Sequence, residues 1–386
     1  MRTPTSHLLA MVVLGVLLLA ACSPSASPPN KAPAASAPPP ASASQPAAAT
    51  PSAAPATREP PPAAAVPDRP QTVRVAETVA ISYAPVYVAD ARGYYREQGL
   101  ELEFENFAGG ADAVPALARG DFDVNLGAIS VGTFNAYERG LDIKIVAPMG
   151  ILPRQDSALP LLVRKDLADS GTVTSVADLR GRKVAVNTRA AIVEYILTKA
   201  LERGGLGLGD VDEVALNFPD HAAAFATASI DAAVTAEPFA TRALSQDVAA
   251  KLLAEIAPLQ MTTVAMYSGK FIRERNDAAK RWMVATMRGV RELQGPELGV
   301  SYADKFYTPE NLAVFEQHTG ASAQVIRNQV PYTWDPDLEI QLDFILDQEV
   351  VHMRNGTLQL AQPIPPERLV DETFVRYARE QLGKMR

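Results

Sequence analysis

The sequence predicts an α/β protein of two lobes, each a sheet of short strands flanked by helices, with a cleft between them. Three observations carry that prediction. From Val73 onward, short β-rich runs alternate with stretches of helical period. The alternation starts afresh after Pro160–Val163 and turns back toward the first set near Met261. The 386 residues, 47% of them hydrophobic, also exceed what one compact core usually absorbs.

In order along the chain, Val73–Ala80 reads as a strand, and Pro85–Arg92 as a helix opened by proline and closed by Gly93. Leu100–Phe104 is a second strand, Asp112–Arg119 a helix stopped by Gly120, and Phe122–Leu126 a third strand. Val131–Arg139 is a helix ended by Gly140, before the strand Ile143–Ala147. After the strand Pro160–Val163 the series resumes with strand Lys183–Asn187, helix Ala190–Arg203, strand Val211–Asn217, helix Ala222–Thr227 and strand Ala232–Ala236. Thr262–Tyr267 is a last strand before a mostly helical tail from Asp277 to Met385. Strand, helix and strand at this spacing imply parallel β-α-β units with right-handed crossovers. In open sheets of that kind, ligands gather outside the carboxyl ends of the strands. Two such lobes facing each other make a clamp, with hinges expected near Val163 and Gln260.

The first seventy residues belong to another physical regime. Residues 8–21 form an apolar run behind Arg2, and Cys22 follows at once. A helix of that length spans roughly 21 Å, short of a hydrocarbon core of roughly 30 Å, and suits a signal peptide better than a permanent span. Leu19-Ala20-Ala21-Cys22 resembles a bacterial lipobox, in which the thiol receives diacylglycerol, and Cys22 is the only cysteine of the chain. Each buried methylene of such an anchor contributes about 0.8 kcal/mol, so several chains hold firmly. From Ser23 to Pro70 the sequence is almost only Ala, Pro and Ser, with 15 of the 31 prolines. It cannot bury enough apolar area to order itself and reads as a spacer. The expected organisation is a lipoprotein signal peptide over 1–21, anchor and linker over 22–70, and the first lobe over 71–162. The second lobe follows over 163–259, and residues 260–386 return to the first lobe and form the C-terminal helices.

A formal net charge of −8 without a Lys/Arg cluster argues against nucleic acid as a partner. His221, His318 and His352 lack ligand spacing, so no metal site is expected. Gly204-Gly205-Leu206-Gly207-Leu208-Gly209 follows a helix instead of joining strand to helix, and reads as a C-cap and loop, not a phosphate cradle. Gly127-Ala128-Ile129-Ser130-Val131-Gly132 is one residue out of register for a nucleophile elbow.

Four ordered motifs and a tail carry a family resemblance. They are Tyr83-Ala84-Pro85-Val86-Tyr87 with Gly93-Tyr94-Tyr95, Gly109-Gly110 with Arg119-Gly120-Asp121-Phe122-Asp123, Asp178-Leu179-Arg180-Gly181-Arg182-Lys183-Val184, and Asp231-Ala232-Ala233-Val234-Thr235-Ala236-Glu237-Pro238-Phe239. Ile364-Pro365-Pro366 and Leu369-Val370-Asp371 continue the pattern. Over roughly residues 73–380 the chain resembles the periplasmic binding proteins of the nitrate, sulfonate, taurine and thiamin-precursor group, within the superfamily of thiamin-pyrimidine synthases. The resemblance implies a periplasmic binding protein fold of type II, an ABC permease as partner, and a monomer held on the periplasmic side of a bacterial membrane through Cys22. It also implies capture of a small organic ligand, anionic or heterocyclic, with no cofactor and no catalysis.

Carried over by position, the contact residues implied are Ser82 and Tyr83 after the first strand, Gly109 and Gly110 before a helix, and Ala128, Ile129 and Ser130 after the third strand. Thr188, Arg189 and Ala190, with Glu237 and Phe239, come from the second lobe. The glycines suit a close backbone approach, although Gly110 equally suits a plain turn. Tyr83 offers a ring face and a hydroxyl, or sits at the core edge. Glu237 could accept hydrogen bonds from an amine or ring N–H, or form an interlobe bridge. Arg189 departs from the small residue that relatives carry there. It suggests a guanidinium that reads an anionic group while Thr188 caps the helix, against the alternative of a solvent-facing side chain. Pyrimidine synthases and some chorismate-processing lyases share the fold, so an exported enzyme is the rival reading, and a ligand-sensing accessory protein a third. The synthases use a cysteine-rich segment that this chain lacks.

Overall fold

The computed structural model describes residues 66–107 and 110–385. The apolar leader, Cys22, the linker as far as residue 65, and Gly109 lie outside the described residues. Two five-stranded sheets organise the rest. The chain forms β1 (Gln71–Glu77), β2 (Leu100–Asn106), β3 (Val124–Gly127) and β4 (Ile143–Ile151), then β5 (Leu161–Arg164), β6 (Lys183–Val186), β7 (Asp212–Ala215), β8 (Ala232–Val234) and β9 (Ala249–Leu253), and last β10 (Met261–Ser268). The sheets run β2-β1-β3-β10-β4 and β7-β6-β8-β5-β9.

The expected parallel units are present where β1 pairs with β2 and β3, and where β6 pairs with β7 and β8. Both sheets also contain antiparallel strands beside these parallel units. β10 runs against β3 and β4, and β5 runs against β8 and β9. The reason is topological: β5 and β10 enter their sheets directly from the other lobe, without a crossover helix to reverse the chain.

The lobes are joined by residues 152–160 and 254–260. Leu152 N–H donates to Gln260 O at 2.9 Å, and Leu259 N–H donates back to Leu152 O at 3.1 Å, so the two connections are paired. Val163 lies inside β5, paired with Ala232 and Ala250, and is therefore part of a sheet and not the hinge expected there. β4 runs four residues beyond its expected end. It tolerates Pro148 and Gly150 because it is an edge strand whose pairing with β10 shifts register there.

The first sheet's helical cover is built around the helix Asn276–Leu293, whose Trp282 is fully buried with Tyr95 and Tyr267 at ring distances of 5.8 and 5.6 Å. Gly289 on that helix meets the helix Ala84–Ala91. A Cβ at position 289 would collide with the carbonyl oxygen of Pro85 and lie 2.8 Å from Ala89 Cβ. The glycine-rich stretch after the helix Ile192–Arg203 is a loop with Gly204 as C-cap, as its position predicts.

Candidate functional site

Strand direction places the carboxyl ends of the parallel strands, and the start of the antiparallel β10, at the gap between sheets. The ends of β1, β3 and β4 and the start of β10 bring together Glu77, the loop after Gly127, Gly150 and Thr263, because Val264 pairs with Gly127 and Thr263 with Gly150. On the second sheet, the ends of β6 and β8 bring residues 187–191 and 235–239 to one edge. The two sets of loops touch. Ser130 and Ala191 form an antiparallel bridge, and Val131 N–H donates to Ala190 O at 2.9 Å.

Each expected contact residue has a definite place. Ser82 and Tyr83 lie in a buried turn at Ile81–Tyr83; Ser82 O accepts from Trp334 Nε1 at 2.9 Å, while Ser82 Oγ is buried without a partner. Tyr83 is 1% exposed, so its ring belongs to the core edge, and its hydroxyl lies beside Thr263 and Ser82. Gly110 opens the helix Gly110–Arg119. Ala128 is half-buried, and Ile129 O accepts from Gln348 Nε2 at 2.9 Å. Ser130 is committed to its helix: with Thr133 it forms a reciprocal capping box at the start of Val131–Glu138, each bond 3.3 Å.

The second lobe departs further from expectation. Thr188 does not cap a helix, because the helix starts at Ile192 with Ala191 as N-cap. The capping duty falls to Glu194, whose Oε2 accepts from Ala190 N–H at 2.7 Å while Ala190 is held at φ 55°. Arg189 turns away to Glu213, donating to its backbone carbonyl and lying 3.4 Å from its Oε2. Arg189 and Glu237 therefore do not pair. Glu237, 6% exposed, accepts from Thr241 N at 3.0 Å, Thr241 Oγ1 at 3.0 Å and Val330 N at 3.3 Å, so it tethers the second lobe to the C-terminal tail. Burial pushes its carboxyl up, and those hydrogen bonds oppose the shift. Phe239 is half-buried and stacks on Phe218 at 6.3 Å.

Two buried acids not singled out in the sequence stand beside these loops. Glu194 is fully buried with its Oε1 3.4 Å from His352 Nδ1, on the helix Leu342–Arg354 that also supplies Gln348. A charge inside the apolar run Ile192-Val193-Glu194-Tyr195-Ile196-Leu197 was the available signal for this buried acid. Glu77, at the end of β1, accepts from the Tyr87 hydroxyl at 2.8 Å, and burial pushes its pKa up to about 7. Among the described residues, no three His, Cys, Asp or Glu side chains gather so as to hold a metal ion.

The raised Glu77 value has a testable consequence. A carboxyl lifted from 4.5 to about 7 stays protonated in the folded state after it has ionised in the unfolded chain. Its contribution to stability is thus full below pH 4.5 and is lost as pH rises through about 7. Glu77→Gln keeps an acceptor for Tyr87 and should flatten that loss, leaving the variant more stable than its parent at pH 8. Urea unfolding at pH 5 and pH 8 measures it, and an unchanged difference between the two pH values would refute it.

Residues 80–296 match the family described as NMT1/THI5 like. The riboflavin-binding protein RibY of Chloroflexus aurantiacus is 27% identical over 268 residues, covering 68% of this chain and 72% of that protein. The taurine-binding periplasmic protein of Escherichia coli is 29% identical over 179 residues, 46% of this chain and 52% of that one. Among solved structures, the alkanesulfonate-binding protein SsuA of Xanthomonas axonopodis pv. citri bound to MOPS aligns with TM-score 0.58 at 18% identity, over 81% of this chain and 99% of that chain. The desulfurization enzyme DSZB aligns with TM-score 0.56 at 16% identity, over 80% and 99%. The fold is therefore common to binding proteins and to at least one enzyme.

Proposed function

This chain belongs to the NMT1/THI5-like family, and from that premise we propose that it is the extracytoplasmic solute-binding component of an ABC importer. The observation that carries the reading is the meeting of strand ends from two sheets between which the chain passes through the paired connections 152–160 and 254–260. Such a body opens by rotation at those connections and closes over a solute, with Ser82, Tyr83, Gly110, Ala128, Ile129, Ser130, Thr188, Ala190, Glu237 and Phe239 on the facing edges. Closure is a population shift no larger than the solute's differential affinity for the two states. The closed form is what a permease would receive. Cys22 anchors the body to the membrane, the Ala/Pro/Ser linker gives it reach, and the protein works as a monomer.

On the side of binding, the facing edges offer hydroxyls, carboxamides and hydrogen-bonded carboxylates that can hold a solute, and the single cysteine, Cys22, is taken as the lipid anchor. The relatives in sequence are named as binding proteins, which supports the same side.

The test uses full-length protein made in a bacterial host and gently extracted. Native mass spectrometry should find one unaltered solute per chain; stripping the solute should expand the protein in small-angle scattering, and adding it back should compact it. Cys22→Ala should move the protein from the membrane fraction to the soluble one with its solute still bound. A solute that is chemically changed on incubation, or scattering that ignores a tightly held solute, would defeat the proposal.

A further inference from the structure

Buried polar atoms without a protein partner are uncommon, because each has given up water and received nothing in return. Several lie near the facing strand ends: Thr78 Oγ1 on the first lobe, Asn187 Oδ1 on the second, and both amide atoms of Gln329 in the tail. Gln329 stands out. It is 4% exposed, and neither its Oε1 nor its Nε2 has a partner.

Its backbone, by contrast, is fixed on three sides. Gln329 O accepts from the Tyr307 hydroxyl at 3.1 Å, the preceding Asn328 O accepts from Thr241 Oγ1 at 3.3 Å, and the following Val330 N–H donates to Glu237 at 3.3 Å. Three residues on, Tyr332 reaches the first lobe, where Tyr332, Ser82 and Thr263 ring Gly150 so closely that a Cβ there would lie 2.6 Å from Ser82 Cβ and 2.8 Å from Thr263 Oγ1. Residues 328–332 thus cross from the end of the second sheet to the end of the first, along one side of the gap. A side chain with such a rigid base and two idle hydrogen-bonding atoms is preorganised for a partner that arrives later.

The chemistry of that partner follows from the carboxamide. It presents an acceptor and a donor side by side, and the complement is an adjacent N–H and C=O. A bare oxyanion would engage Nε2 and leave Oε1 facing negative charge. We propose that the Gln329 carboxamide reads the solute by pairing with an adjacent N–H and C=O, so that the protein selects an amide-, lactam- or imide-bearing compound over a simple sulfonate or nitrate.

This rests on the solute-binding reading above, and the test separates the two. Wild type, Gln329→Leu and Gln329→Glu are made as full chains in the same host, their bound solute is identified and quantified by native mass spectrometry, and their solute-stripped forms are melted. The expected solute carries an adjacent N–H and C=O. Losing a buried pair of hydrogen bonds should lower occupancy of Gln329→Leu by about tenfold or more at limiting solute. Its stripped form should melt no lower than wild type, since the leucine removes two buried polar atoms that had no partner. Gln329→Glu should lose the solute as well, because it replaces the donor by a second acceptor. Full occupancy of Gln329→Leu, a solute lacking that edge, or a lowered melting point of stripped Gln329→Leu overturns the assignment and leaves the binding reading standing. Wild type without any solute, in repeated preparations, sinks both.

Discussion

Valine at position 289 is expected to destabilise the protein by about 3 kcal/mol or more, the upper range for overpacking a close contact. Gly289 sits where the helix Asn276–Leu293 crosses Ala84–Ala91, and the atom in the way is the backbone carbonyl of Pro85, which no rotamer change can move. The shorter helix must therefore lift off. That helix continues the turn Ile81–Tyr83, so lifting it displaces Ser82 and Tyr83 from Thr263 and Trp334 at the mouth of the first lobe. Gly289→Ala should show the same effect in smaller measure. Denaturant unfolding reads the loss, and solute affinity should fall with it; a Gly289→Val protein as stable as wild type would show that the two helices are not held at this separation.

The same contact illustrates what the sequence makes legible. The alternation of Val73 and Val75 with Thr72 and Arg74, and the punctuation by Pro85, Gly93, Gly120 and Gly140, are local signals, and they place β1 and the first helices within a few residues. β9 was missed because Ala249-Ala250-Lys251-Leu252-Leu253 is made of helix formers. It is a strand only because β5 offers an edge, pairing Arg164 with Ala249 and Val163 with Ala250.

For the candidate site, the sequence places the loops but not the chemistry of their side chains. Loops at strand ends could be named from topology, and the loops of Ser130 and Ala190 do meet. What each side chain does there depends on partners far along the chain. Arg189 goes to Glu213, 24 residues on, and Glu237 is joined by Val330, 93 residues on. Gln329 and Thr333 lie in an irregular stretch of the tail, where no period marks the backbone and long-range contacts such as the bridge from Thr333 to Ile151 bring the chain to the gap. No local pattern could assign such pairings.

Replacing Glu194 by leucine should have the largest effect on the junction itself, because this fully buried side chain holds the Ala190 amide and lies beside His352. It holds Ala190 N–H at 2.7 Å, keeping a non-glycine residue at φ 55°, and Ala190 O in turn accepts from Val131 across the gap at 2.9 Å. Burial pushes the Glu194 carboxyl up, but His352 and the Ala190 amide outweigh burial and hold it below its usual range, whereas the neighbouring Glu213 is pushed up by burial and by the charge of Glu194. Removing Glu194 leaves the buried Ala190 amide without its acceptor and takes the carboxylate away from His352. Breaking a buried arrangement of this kind costs about 3–5 kcal/mol. The sign with pH follows from the lowered value: Glu194 contributes its stability above pH 4.5 and loses it as pH falls through its folded-state value, so parent and Glu194→Leu should converge in acid. Glu194→Gln keeps an acceptor for Ala190 and should lose less. Urea unfolding at pH 7 and pH 4 measures the difference, and small-angle scattering at pH 7 should find Glu194→Leu more expanded than its parent. A gap in stability that widens toward acid, or a variant as compact and as stable as wild type at neutral pH, would mean that the lobes meet without help from this carboxylate.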